Sequence, residues 1–307
     1  METILPFLPK NIADQINQIP PELREELEEI RIRINRPIEV TTKRGPRFLS
    51  YIIQPEDAFH LINKISHFSI YTLEEELKRG YITVSGGHRV GLAGKVILEA
   101  GKVKAIRDIS SFNIRIAREK VGIAEPLISC LYQGKWLNTM VIGPPQTGKT
   151  TLLRDIARII SSGSASKAID AQKVGIIDER SEIAGCINGV PQLTFGMRVD
   201  VLDACPKAEG MMMMIRSMSP DVIVVDEIGR MEDAEAIQEA IHAGIQLVMS
   251  THGYSLEEIS KRPSLKGILN QRIFQRFVIL SRKGGPGTIT HIFDECGREI
   301  VNKVSVT

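Results

Sequence analysis

The sequence is poor in several features that would point at once to a function class. Its four cysteines, Cys130, Cys186, Cys205 and Cys296, stand far apart with no Cys-x-x-Cys pair. Neither a zinc site nor a disulfide framework is therefore expected, and a reducing compartment is implied. No run of 18 apolar residues occurs, and the opening METILPFLPKNIADQI has neither the basic start nor the long apolar core of a signal peptide. The expectation is a soluble or peripheral protein with no membrane span. Aromatic residues make up 5% of the chain, and 39 Lys and Arg nearly balance 37 Asp and Glu, for a formal net charge of +2. With the cations dispersed and few aromatics between them, no stacking platform for a nucleic-acid strand is visible. Internal repeats and low-complexity tracts are also missing.

What is present is an ordinary globular composition, 43% apolar and 25% charged over 307 residues, which leaves room for two domains. The two halves differ in texture. Residues 1–120 offer a helix over PELREELEE (Pro21 to Glu29), an alternating strand over IRIRINRPIEV (Ile30 to Val40), a helix near Pro55 to Ser66 and a glycine-rich hairpin region from Gly80 to Ile106. That half reads as α+β with antiparallel strands. Residues 121–136 read as a linker helix, within the longer stretch Arg118 to Trp136. From 137 to 307 the order becomes strand, helix, strand, helix, which predicts a mostly parallel sheet with helices on both faces.

One loop in the second half carries chemistry. A buried strand from Trp136 to Ile142 runs into GPPQTGKTT, and apolar positions at helical spacing follow from Thr150. Glycine-rich turn, lysine and threonine between a strand and a helix form the P-loop pattern. Its backbone N–H groups and helix N-terminus receive phosphate oxygens, Lys149 sits on the outer phosphates and Thr150 ligates magnesium. Residues Gly143, Pro144, Pro145, Gln146, Thr147, Gly148, Lys149, Thr150 and Thr151 are the expected nucleotide-binding set. Downstream, SPDVIVVDEIGR is an apolar strand ending in Asp226 and Glu227. On a neighbouring parallel strand these acids lie beside the P-loop, with Asp226 in the magnesium shell and Glu227 orienting or deprotonating the attacking water. KVGIIDERSEIAG places Asp178, Glu179, Arg180 and Glu182 near the same sheet edge; three acids would crowd one metal–phosphate site, so at most one or two can face it. The strand IQLVMSTHG ends in Ser250, Thr251 and His252, polar groups able to sense a terminal phosphate. The stretch MMMMIRSMSP, Met211 to Pro220, reads as a helix packing flexible side chains on the sheet rather than as a partner surface.

Taken in order, GPPQTGKTT, IIDERSE, MSPDVIVVDEIGR, VMSTHG and NQRIFQR resemble the secretion ATPase superfamily, whose members power type II and type IV secretion and pili. In length and in EIRIRINRPIEV, GGHRVGLAG, SSFNIRIARE and DERSEIAG, the chain is similar to a sporulation branch of it. The resemblance implies a RecA-like P-loop ATPase core over 137–307 preceded by the smaller α+β domain. It also implies ATP and magnesium as ligands and a homo-hexameric ring that works from the cytoplasm, at the mother-cell membrane, on membrane-embedded channel proteins. It matches Glu182 to the last acid of an Asp box, Glu227 to the Walker B glutamate and His252 to a His box. Arg89 and Arg115 match N-terminal-domain arginines that reach phosphate, and Arg272 a C-terminal arginine of less defined role. Two departures stand out: Asp226 replaces a more usual glycine, and a zinc-binding insertion is absent. By contrast, Arg31 and Arg33 have the period of two expected of a strand's solvated face. The alternative reading from a different class is a nucleic-acid-stimulated RecA-like ATPase.

Overall fold

The computed structural model describes residues 1–42, 44–66, 74–283 and 285–304, and divides them into two compact units, Met1–Arg118 and Glu119–Thr307. The first unit is built in the order α1 (Lys10–Asn17), α2 (Pro21–Glu25), β1 (Leu27–Arg33), β2 (Pro37–Thr42), β3 (Gly45–Ile52), α3 (Pro55–Ile65), α4 (Glu74–Arg79), β4 (Tyr81–Val84), β5 (His88–Glu99) and β6 (Lys102–Arg115). Its strands form one antiparallel sheet ordered β3-β2-β1-β6-β5-β4. The helix expected over Pro21 to Glu29 stops at Glu25. From Leu27 the chain pairs with β2 on one side and β6 on the other, and burial of Leu27, Ile30 and Ile32 outweighs the helix propensity of the glutamates. The strand expected over Ile30 to Val40 is two strands, because Asn35 turns the chain with φ +60° and Pro37 opens β2. Arg31 and Arg33 lie on the opposite face from Ile30 and Ile32, in ion pairs with Glu29 (3.0 Å) and Glu39 (2.7 Å). Helix α3 follows the sequence reading closely, its start fixed by Asp57 accepting the Gln54 N–H at 2.9 Å.

The second unit runs α5 (Ile128–Leu131), β7 (Thr139–Ile142), α6 (Lys149–Ser162), β8 (Val174–Asp178), β9 (Val199–Asp203), α7 (Lys207–Ser217), β10 (Val222–Val225), α8 (Met231–His242), β11 (Gln246–Thr251), α9 (Leu256–Ser260), α10 (Pro263–Asn270), β12 (Arg276–Ser281), β13 (Thr288–Asp294) and β14 (Glu299–Val304). The sheet order is β14-β13-β12-β7-β11-β10-β8-β9; β12 through β9 are parallel, and β13 and β14 form an antiparallel edge. Alternate strand residues feed two cores. Val141, Ile176, Val224 and Val248 pack on the side of α6, while Ile142, Ile177, Val225 and Met249 pack on the side of α7, α8 and α10. Strands buried on both faces are the reason β7, β8 and β10 read as unbroken apolar runs.

At the start of the second unit, the expected linker helix is broken into a single 3₁₀ turn, Glu125–Leu127, and the short α5. Gly122 has φ +90°, and the Asp155 side chain accepts the N–H groups of Gly122 (3.1 Å) and Ala124 (2.7 Å) that a helix would have used. The methionine run lies within α7: Met211 and Met214 are buried in the core, whereas Met213 is exposed. Gly175 on β8 makes this contact possible, since a Cβ there would stand 2.5 Å from Met214 Cγ.

Candidate functional site

All parallel strands of the second unit end at one edge of the sheet, and the chemistry-bearing residues collect there. From β7 the chain enters the glycine-rich loop with Gly143, whose missing Cβ would stand 2.5 Å from Thr147 Oγ1. Thr147 Oγ donates to Pro144 O at 2.8 Å, Gln146 and Gly148 take positive φ (64° and 90°), and α6 starts at Lys149. The loop thus folds back on itself ahead of a helix N-terminus, the arrangement that gathers N–H groups toward a phosphate. Its outer side is braced by the turn after β12, where Gly287 N–H donates to Thr147 O (2.8 Å) and Arg282 Nε to Pro145 O (2.9 Å). Pro144, Thr147 and Lys149 are engaged in this way, and Thr151 lies in the first turn of α6.

The strand carrying Asp226 and Glu227 is not the immediate neighbour of β7: β11 lies between β7 and β10. The acids nonetheless reach the loop. Thr150 Oγ1 donates to Asp226 Oδ2, and Ser250 Oγ, from the intervening strand, donates to Asp226 Oδ1. Lys149 Nζ donates to Pro144 O (3.2 Å) and lies 3.1 Å from His252 Nδ1, while His252 Nε2 lies 2.9 Å from Glu227 Oε1. An ammonium can only donate, so Nδ1 is the acceptor and the ring proton sits on Nε2, pointing at Glu227. Burial pulls the Lys149 ammonium below the usual lysine range, and the carboxylates of Asp226, Glu227 and Glu182 pull the other way.

The acids after β8 separate by role. Asp178 is buried and accepts the N–H groups of Glu182 (2.8 Å), Ile183 (2.9 Å) and Ala184 (2.9 Å), so it shapes its own loop, at the wall of the cleft that Asp226 and Glu227 also line. Burial raises its carboxyl to about 6, against the pull of those three donors. Glu179 pairs with Lys207, with Arg230 at 3.8 Å. Glu182 lines a narrow cleft with Asp226 and Glu227. Arg154, which no motif singles out, fixes the loop by donating to Ile183 O and Glu182 O, both at 2.6 Å. Arg180 reaches Glu227 Oε2 at 2.7 Å. The sequence signal for it was its place two residues after an apolar strand that ends beside the P-loop.

Arg89 and Arg115 belong to the first unit, directly opposite each other on β5 and β6, with the Arg89 guanidinium 3.9 Å from the Tyr81 ring centroid. Arg272 lies in the connection between α10 and β12, at the sheet edge away from the P-loop, and donates to Cys296 Sγ at 3.7 Å. No group of three or more His, Cys, Asp or Glu suited to holding a metal by themselves occurs among the described residues. None of the described helices is long and apolar enough to cross a membrane.

This architecture is found in solved structures. The chain superimposes on the Legionella pneumophila ATPase DotB with a TM-score of 0.58 at 17% identity, covering 88% of this chain and 75% of that one. On the pilus retraction motor PilT with bound ADP the TM-score is 0.60 at 16% identity, covering 90% and 77%. The fold is therefore the one these two structures share, a RecA-like α/β core preceded by an N-terminal domain. In sequence, the chain is 57% identical over 306 residues to stage III sporulation protein AA of Bacillus subtilis, spanning 100% of this chain and 99% of the relative. The ycf45 protein of Porphyra purpurea is 26% identical over 272 residues, which span 88% of this chain and 43% of that protein. The family described as sporulation stage III, protein AA, matches residues 2–300, and the chain belongs to that family.

Proposed function

We propose that this chain is an ATP-hydrolysing motor of the secretion type, which assembles into a hexameric ring and works on a membrane-embedded channel or secretion-like complex during sporulation. The observation that carries the reading is the convergence of the phosphate loop, Asp226, Glu227 and His252 on one sheet edge, with Thr150 already bonded to Asp226. The loop N–H groups and Lys149 bind the phosphates. Thr150 and Asp226 offer two oxygens side by side, which suits magnesium, an ion that completes its shell with phosphate oxygens and water rather than with an all-protein cage. A magnesium ion held by Thr150 and Asp226 would supply positive charge to offset that developing on the phosphates. Glu227 orients the attacking water and accepts its proton. His252, bonded to both Lys149 and Glu227, gives up Lys149 when phosphate arrives and so links occupancy to the position of Glu227. Glu182 lies in the same cleft and supports the water or metal shell.

Arg89 and Arg115 enter this reading as cations brought to the terminal phosphate in the assembled ring. Such an arginine stabilises transition-state charge and makes turnover depend on assembly. The names of DotB and PilT, an ATPase and a pilus motor, favour hydrolysis coupled to movement. Magnesium-dependent phosphate release tests the core of the proposal. Lys149→Ala and Glu227→Gln are each expected to lower it at least 100-fold, the first by losing nucleotide and the second with nucleotide still bound. Wild-type turnover retained in Glu227→Gln would remove Glu227 from the mechanism.

A further inference from the structure

Glu227 is held from both sides. Its strand, β10, lies between β11 and β8, and each neighbour sends one cationic or N–H donor across its end. His252, after β11, engages Oε1 at 2.9 Å, and Arg180, after β8, engages Oε2 at 2.7 Å. The backbone of Glu227 itself takes φ +57°, a conformation that costs a non-glycine residue energy and persists only where surroundings impose it. Its N–H is fixed by Ser250 Oγ at 3.0 Å.

The loop that presents Arg180 is equally constrained. Asp178 accepts three successive N–H groups from Glu182 to Ala184, Arg154 holds the carbonyls of Glu182 and Ile183, and Ser181, at φ +53°, donates to Asp203 Oδ1 at 2.6 Å. The adjacent Glu179 is directed elsewhere, to Lys207. Arg180 is itself 57% exposed, so its pairing with Glu227 contributes little to stability. A rigid loop that holds an exposed arginine on this carboxylate is better explained by orientation than by folding energy.

We propose that Arg180 is a positioning residue for Glu227: with His252 it fixes the plane of the carboxylate and leaves one lone pair of each oxygen free for the attacking water. The proposal rests on the ATPase reading above. Misplacing a catalytic group by about 1 Å costs on the order of 100-fold in rate. Arg180→Ala is therefore expected to lower kcat by about 10- to 100-fold, while KM for ATP and the affinity for a fluorescent ADP analogue stay within about twofold of wild type. Arg180→Lys, which keeps the charge but not the planar fork, recovers part of kcat.

The test measures kcat, KM, analogue affinity and thermal midpoint for the full chain as wild type, Arg180→Ala, Arg180→Lys and Lys149→Ala. A kcat in Arg180→Ala equal to wild type overturns the proposal and leaves the ATPase reading standing. A fall in kcat accompanied by equal losses in nucleotide affinity or thermal midpoint also overturns it, in favour of a structural role. Wild-type phosphate release that Lys149→Ala does not diminish overturns both.

Discussion

At the residue scale, one carboxylate behaves differently from what its position in the chain implies. Asp178 ends an apolar strand beside the P-loop, as a metal ligand would, yet its oxygens are consumed by three backbone N–H groups of the following loop. Its carboxyl lies at about 6 in the folded chain against 3.8 for an unperturbed aspartate, because burial disfavours the charge. Between those values the folded state binds more protons than the unfolded one, so this group contributes stability that is full below pH 3.8 and is lost as pH rises through about 6. Thermal unfolding of wild type and Asp178→Asn from pH 4 to 7 checks this: the stability of wild type relative to the variant is expected to fall across that window, by on the order of 3 kcal/mol. Parallel curves would show that the three N–H donors fully offset burial. The loop from Gly143 to Thr150 was readable at this scale because its motif has fixed spacing between a strand and a helix. Arg154 was not readable, because its role depends on which loop the topology brings under it, and Arg180 was readable as a residue near the sheet edge but not in its pairing with Glu227.

Elements show the same division. Strands β7, β8 and β10 declared themselves as apolar runs, and the helix expected near Pro55 to Ser66 forms as α3. The chain from Arg118 to Trp136 did not, since Asp155, far along the sequence, replaces its helical bonds. The short α2 was misread for a related reason: its glutamates favour helix, and only pairing on both sides of β1 overrules them. Packing of α7 on β8 gives a direct test of element contact. Gly175→Ala places a methyl group 2.5 Å from Met214 Cγ and is expected to destabilise the second unit by about 1–3 kcal/mol. Denaturant unfolding measures it, and Met214→Ala in the same chain should recover part of the loss, since the two residues share one space. Additive losses in the double variant would mean that the clash is relieved elsewhere.

For the whole molecule, the parallel sheet, its two buried faces and the α+β unit ahead of it were legible in the texture of the chain. The sheet order was not, because β11, inserted between the P-loop strand and the acidic strand, is a matter of long-range pairing. That insertion brings Ser250 and His252 between the glycine-rich loop and Glu227; in the proposed mechanism, the strand that would sense phosphate thus separates the binding loop from the base. Assembly is the remaining property at this scale. If Arg89 and Arg115 act on a nucleotide only within a ring, Arg89→Ala and Arg115→Ala should each lower turnover by at least tenfold without weakening nucleotide binding to the second unit, as measured with a fluorescent ADP analogue. Unchanged turnover with unchanged binding would instead confine both arginines to the surface of the first unit. The most direct measurement of the central claim is mass by light scattering across a concentration series with magnesium and ATP, recorded together with phosphate release, on wild type and Glu227→Gln. The motor account predicts a nucleotide-favoured hexamer in both proteins and turnover that climbs with assembly in wild type alone. A monomer that hydrolyses ATP at the same specific rate at every concentration would contradict it.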